Sequence, residues 1–253
     1  MKWLLWMALA AATAHSADAP KNADAVMKFA SAKMAGYKTW SAAVRQESQL
    51  LGVPMVLEGL TRFKAPGRIR SDMQMPMIGA LGKMLVVLGD DGWAWQEMDL
   101  MGRKQVTKLK LSDGTSSEQI AAVDPGRHWE SCRELMNFTL ATGDPIEGQP
   151  MWVLEGTWKS GIATNAALTA RVGQLGKIRF YVGQNDGFTH RIEQCDRTQG
   201  KTVATMEFSK LKFNEPLDDA LFRYQPPEGV EPIDITDMSR QLLQQSGLPS
   251  SVP

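Results

Sequence analysis

Residues Val53–Met75 read VPMVLEGLTRFKAPGRIRSDMQM and carry the clearest pattern in the chain. Met55, Leu57, Gly59, Thr61 and Phe63 alternate with Val56, Glu58, Leu60, Arg62 and Lys64. Successive side chains of a strand point to opposite faces, so this arm predicts a half-buried strand. Ala65-Pro66-Gly67 then interrupts the alternation with residues suited to a tight connection. It resumes with Ile69, Ser71 and Met73 on one side and Arg68, Arg70 and Asp72 on the other. One apolar and one charged face predict an antiparallel hairpin with one side in water.

The period of two extends well beyond this hairpin. It predicts strands at Lys38–Gln49, Pro54–Lys64, Gly67–Met75, Met84–Leu88, Trp93–Met98 and Arg103–Leu111, joined as a meander through turns such as Asp91-Gly92 and Met101-Gly102. Further strands are expected at Met151–Trp158, Lys177–Val182, Phe188–Cys195, Lys201–Phe213 and Leu221–Tyr224, with Asn185-Asp186-Gly187 as a hairpin turn. Helical spacing predicts Asn22–Ala35, ended by Gly36, and Arg127–Leu140, closed by Gly143. Ser116–Val123 is read as a short helix, Ser160–Val172 as ambiguous, and Asp234–Ser246 as a terminal helix capped by Asp234 or Thr236. The expectation is a mainly β (α+β) protein of eleven short antiparallel strands, one domain over residues 15–246, with a disordered tail at 247–253.

Composition narrows the class. Lys plus Arg and Asp plus Glu each number 28, so the net charge is zero. Such a balance offers no basic footprint for nucleic acid and no charged tail. Residues 1–14 have the layout of a secretory signal peptide: Lys2, an apolar run from Trp3 to Ala12, and small residues at Ala12-Thr13-Ala14. No cysteine follows the run to take a lipid anchor, so the mature chain is expected to be soluble and exported, in the periplasm of a cell with two membranes. Export permits a disulfide between Cys132 and Cys195. Closing that loop would contribute about 4 kcal/mol on the chain-entropy account, and two buried free thiols are the alternative.

A search for chemistry finds no catalytic motif, no phosphate loop and no metal-ligand spacing. His128, beside Trp129, and His190, in a predicted strand, have no partner motif and read as surface or interfacial residues. Asp90-Asp91 and Asp218-Asp219 read as solvated turn residues. Neither catalytic residues, nor a metal, nor a cofactor are expected. Apolar residues are more informative. Met73–Met84, MQMPMIGALGKM, holds Met73, Met75, Met77 and Met84 among Pro, Gly and Ala, either as a loop packed under the sheet or as a ligand-contacting flap. Trp93 and Trp95 share one strand parity, and so do Trp152 and Trp158. Taken singly each is ordinary core; together they widen the apolar face that carries Met55, Leu57, Phe63 and Ile69. So large a face exceeds what the few helices can cover, so the sheet either folds on itself or leaves a cavity.

Four stretches resemble the LolA/LolB-type periplasmic lipoprotein carriers. They are Tyr37–Gln49 (YKTWSAAVRQESQ), Glu58–Met73 (EGLTRFKAPGRIRSDM), Leu85–Trp95 (LVVLGDDGWAW) and Phe222–Val230 (FRYQPPEGV). The resemblance implies an eleven-strand antiparallel half-barrel whose concave apolar face is lidded by short helices. It implies binding of lipoprotein acyl chains, or another lipid, and passage from an inner-membrane release machinery to an outer-membrane acceptor by a monomer. Met55, Leu57, Phe63, Ile69, Met73, Met75, Met77, Trp93, Trp95 and Trp152 are the residues expected to meet the lipid. The sequence departs from the family at Ala65, where an arginine that hydrogen-bonds the lid is usual. An envelope sensor that binds a protein partner through the same fold is the second reading, and a hydrolase of a lipidic substrate a distant third.

Overall fold

The computed structural model describes residues 20–50, 53–76, 82–111, 128–160 and 175–246. The signal peptide, the helix expected at Ser116–Val123, the ambiguous Ser160–Val172, Met77 and the tail lie outside the described residues. Twelve strands form one open sheet: β1 Thr39–Leu50, β2 Val53–Lys64, β3 Arg68–Gln74, β4 Gly82–Leu88, β5 Trp93–Leu100, β6 Arg103–Lys110, β7 Met136–Ala141, β8 Met151–Trp158, β9 Leu175–Gly183, β10 Thr189–Asp196, β11 Thr202–Phe213 and β12 Ile233–Asp234. Their order is β12-β6-β5-β4-β3-β2-β1-β11-β10-β9-β8-β7. Two meanders therefore meet at β1, which pairs with β2 on one side and β11 on the other. The sheet does not close, so the architecture is an open half-barrel.

Helix α1, Ala23–Ala35, begins where the Asn22 side chain accepts from the Ala25 amide at 2.9 Å. Ala23, Val26, Met27, Ala30 and Met34 are buried, the spacing of one helical face. The hairpin turn between β9 and β10 meets the end of this helix. Gly187 has φ of +69°, and a Cβ there would stand 2.7 Å from Lys33 Cβ. Tyr37 donates to the Asp186 carbonyl at 3.0 Å and ties the same turn to the chain just past the helix. Gly187→Ala is expected to destabilise by about 1–2 kcal/mol from the left-handed backbone, plus the clash with α1, as a lowered urea midpoint would show.

Two expectations for the middle and end of the chain are corrected. The helix expected over Arg127–Leu140 is α2, His128–Leu135, followed at once by β7. The period changes there: Asn137, Thr139 and Ala141 are exposed while Phe138 and Leu140 are half-buried, and pairing with β8 satisfies the backbone. The strand expected at Leu221–Tyr224 is a 3-10 turn, Asp219–Phe222, because the Asp218 side chain accepts from the Ala220 amide at 2.9 Å. The terminal helix α3 is Thr236–Ser246, preceded by β12, and Asp234 accepts from its first amide at 2.9 Å. With β7 and β12 gained and the strand at Leu221–Tyr224 lost, the count goes from eleven to twelve.

The core lies on the face that carries α1 and α2. At one end α1 and Trp129 of α2 pack on Leu154, Ile178, Phe180 and Val182. At the other, Met34 joins Trp40, Phe63, Ile69, Leu88 and Phe188. Full burial of each such side chain stabilises by about 1.5–3 kcal/mol. A smaller apolar patch lies on the opposite face, where Val87 is 0% and Val106 1% exposed. The segment after β11 runs near this patch and is held by the charged side of the β2–β3 hairpin. Lys64 and Arg68 reach Asp219 at 2.7 and 2.6 Å, and Arg70 donates to the Leu221 carbonyl at 3.2 Å.

Two carboxyls are held below the usual range against burial. Burial pushes Asp186 up, but the hydrogen bonds from His190 Nε2 (3.0 Å) and the Phe188 amide (2.9 Å) outweigh it. Burial also pushes Asp72 up, and Arg70 and Arg62 outweigh it. A depressed carboxyl stabilises fully above its unfolded value near 4, and that contribution is lost as pH falls through the lower folded value. Stability is therefore expected to fall on acidification below about pH 4. In Asp186→Asn part of that acid limb should vanish, together with some stability at neutral pH, as urea midpoints across pH would show.

Candidate functional site

Cross-strand register lays the helix-bearing face out in rows. The row nearest the Pro-Gly turn runs Trp40, Phe63, Ile69, Leu88 and Ala94. These residues belong to, or pack against, one core cluster, and the Trp40 and Phe63 rings stack at 5.9 Å. The next row is mixed, with Ala42, Thr61, Ser71, Val86 and Gln96 in line. Its polar atoms face partners within the protein: Thr61 and Ser71 share a hydrogen bond of 3.0 Å, and Gln96 reaches the Met84 sulfur at 3.7 Å.

The third row is the site. Gly59, Met73, Met84 and Met98 stand opposite one another on β2, β3, β4 and β5. Neighbouring strands are about 4.8 Å apart, so the three methionines form a continuous ladder. Gly59 leaves a dip between this ladder and Val44 of β1, and a Cβ there would strike the Asp72 backbone. The rows beyond add Leu57, Met75 and Met55, with Met206 of β11 opposite Gln46. Met73 is buried at 8% exposure; Met55, Leu57, Met75, Met84 and Met98 are half-buried. Among the described residues α1 and α2 make their strand contacts at β7, and Met34 at the end of α1 reaches the aromatic row. Methionine is unbranched and polarizable, so such a strip adapts to an irregular apolar guest.

The ten residues expected to meet a lipid divide accordingly. Met55, Leu57, Met73 and Met75 lie on the strip. Phe63 and Ile69 share its face but are packed into the core at 5% and 6% exposure. Trp152 also shares the face, covered by α1 through an edge contact with Phe29 at 5.1 Å. Met77 is outside the described residues. Trp93 and Trp95 are a correction: they point to the opposite face. Trp95 pairs with Val87 of that face, donates to Asp91 at 2.9 Å and lies 5.3 Å from the Tyr224 ring. Trp93 lies under Lys108 at 4.7 Å. The register leaves Ala94, Gln96 and Met98 on the inner side. The ten leave out Met84, read only as the end of the methionine-rich segment, and Met98 and Met206, although strand parity carries all three.

Chemistry elsewhere is sparse. Cys132 and Cys195 are free thiols on opposite sides of the sheet. Cys132 packs under α2 with its sulfur 3.5 Å from His128 Nε2. Burial pushes its thiol up to about 12 and pulls His128 down, so neither gains charge from the other. Among the described residues no group of His, Cys, Asp and Glu has a metal-holding arrangement. A concavity of about 320 Å³ beside the start of α1 is rimmed by Arg133 and Lys159. Both cations are engaged there, Arg133 with Asp24 at 3.1 Å and Lys159 with the Arg133 carbonyl at 2.6 Å.

No protein-family model and no curated protein matches the chain. Solved structures do match. An uncharacterized conserved protein from Thermus thermophilus aligns at a TM-score of 0.52 and 14% identity, covering 82% of this chain and 96% of that one. The LolA superfamily protein NE2245 of Nitrosomonas europaea aligns at 0.35 and 14%, covering 81% and 99%. These matches speak to a shared open-sheet fold. The MucA/MucB complex of Pseudomonas aeruginosa also matches, at 0.40 and 18%, over 79% of this chain and 60% of that one. Identities this low speak to the fold alone. Among the described residues no helix is long and apolar enough to cross a membrane.

Proposed function

We propose that this protein is a lipid carrier of the bacterial periplasm, a binding protein and not an enzyme, that holds acyl chains of lipoproteins and ferries them from the inner to the outer membrane. The observation that carries the reading is the ladder of buried Met73 and half-buried Met84 and Met98, continued by Leu57, Met55 and Met75 on the inner face of an open sheet. Each buried methylene of a guest contributes about 0.8 kcal/mol, so a long acyl chain gains on the order of 10 kcal/mol before the cost of association. No polar group is needed for that; in the neighbouring row Thr61 and Ser71 share a hydrogen bond and Gln96 reaches the Met84 sulfur.

Among the described residues the aromatic end and the helix-covered end are packed into the core, which supports the methionine strip as the place for a guest. Native mass spectrometry of protein purified from its own envelope tests the reading. Co-purifying lipid or acylated protein is the expected result. An empty protein that also fails to take up added acyl chains would overturn it, and a stoichiometric unacylated protein partner would favour the sensor.

A further inference from the structure

Among the described residues the exposed large hydrophobic side chains are Leu100, Met101, Ile233 and Met238. All four belong to one edge of the sheet, formed by β5, β6, β12 and α3. Met101 is the most exposed, at 70%, and it stands at the tip of the β5–β6 hairpin. Its φ is +53° and that of Gly102 is +80°. A hairpin turn with two left-handed residues favours Asn-Gly, because Asn tolerates that backbone and its side chain belongs in water. Methionine is the poorer choice on both counts, and at 70% exposure little packing compensates for it.

The surroundings of the tip are cationic. Lys83 stands opposite Asp99, Asp99 opposite Lys104, and Arg103 opposite Leu100. Two acids face this group. Asp99 accepts from the Gly102 amide at 3.1 Å and so is engaged in the turn, and Glu97 lies 3.7 Å from Lys104. Farther along β6, Lys108 and Lys110 lie over Trp93, with Asp234 and Asp237 beyond them on β12 and α3. The tip also adjoins the methionine strip. Leu100 pairs with Gly82, whose carbonyl accepts from the Met75 amide at 2.8 Å, and Met98 is two residues back on the same strand face.

We propose that the β5–β6 tip docks the protein on an anionic phospholipid surface. Met101 and Leu100 enter the headgroup boundary while Lys83, Arg103 and Lys104 meet lipid phosphates, the combination by which apolar area and charge add at a membrane interface. A guest leaving the strip would then emerge beside the bilayer. This inference rests on the carrier reading for its purpose, but the tip binds lipid headgroups whether or not the strip is filled.

The test is flotation of the full chain with phosphatidylethanolamine vesicles, with and without phosphatidylglycerol, beside acyl-chain binding by the delipidated protein. The wild type is expected to float with the anionic vesicles and to come off as salt is raised. Met101→Asn should bind them about tenfold less, melt no lower, since Asn suits the turn, and keep acyl-chain binding. Arg103→Gln should weaken the anionic preference in the same way. A wild type that ignores anionic vesicles, or a Met101→Asn variant that floats equally well, overturns the docking inference, and retained acyl binding then leaves the carrier reading standing. Loss of acyl binding in the wild type, with docking intact, overturns the carrier reading instead. Binding of the tip to an acidic protein but not to vesicles also overturns membrane docking.

Discussion

Replacing Phe188 by alanine is expected to lower stability by about 3–5 kcal/mol and the melting temperature by roughly 10 °C. Phe188 follows the glycine that lets the β9–β10 turn meet α1, and it is 5% exposed. Its ring meets Trp40 at 5.1 Å, Phe208 at 5.5 Å, Phe213 at 5.9 Å and His190 at 6.1 Å, all edge-on. Such pairs add to the burial term, and truncation leaves a cavity that close-packed strands cannot fill. Trp40 lies on β1, where the two meanders join, so the loss is felt by both halves of the sheet. Denaturant unfolding measures it; a loss below about 1 kcal/mol would mean that this end collapses freely.

The second large effect concerns binding. Met84→Asp is expected to weaken acyl-chain binding at least a hundredfold, since an uncompensated carboxylate against a hydrocarbon costs several kcal/mol and each 1.4 kcal/mol is tenfold. Met84 is the middle rung of the ladder, with Met73 on one side and Met98 on the other. It is half-buried, so the fold should bear the change better than it would at Phe63, which is part of the core. Met98→Gln serves as a milder companion that removes apolar contact without adding charge. Titration of delipidated protein with a fluorescent fatty acid, alongside circular dichroism, separates lost binding from lost folding. Wild-type affinity in a folded Met84→Asp protein would place the guest elsewhere.

Much of this was legible in the chain. The alternation of Met55 to Phe63 and of Ile69 to Met73 fixed which side of the hairpin faces inward, because a period of two leaves no other choice. Asn22 and Gly36 bounded α1, and the turn at Asn185-Asp186-Gly187 stands where the sequence places it. Other features were hidden for physical reasons. Helical spacing of Trp129, Cys132, Met136 and Leu140 extends through β7, and only pairing with β8 decides that the chain straightens after Leu135. Trp93 and Trp95 look like inner-face residues because the second apolar patch, which takes Tyr224 against Trp95, is made by a segment more than a hundred residues away. Which apolar residues are core and which line the strip depends on where α1 lands, and a side chain's own pattern does not encode that.

The absent arginine at Ala65 has a related lesson. In this chain two cations flank the turn: Lys64, paired with Asp219, and Arg68, which donates to the Ala65 carbonyl at 3.2 Å and pairs with the same Asp219. Its guanidinium also lies 5.7 Å from the centre of the Phe222 ring. The charged side of the hairpin is thus committed to holding the segment after β11, on the face opposite the strip. The methionine ladder stands on the other face, away from these contacts.

Photo-crosslinking tests the central claim most directly. Delipidated protein is loaded with a diazirine-bearing fatty acid, irradiated, digested and mapped by mass spectrometry. The account predicts labels concentrated on β2–β5, at Met73, Met84, Met98 and their neighbours Leu57 and Met75. Labels confined to the opposite, charged face, where Arg45 of β1 stands across from Glu207 of β11, or to the rim of the concavity at Arg133 and Lys159, or no saturable labelling at all, would contradict it.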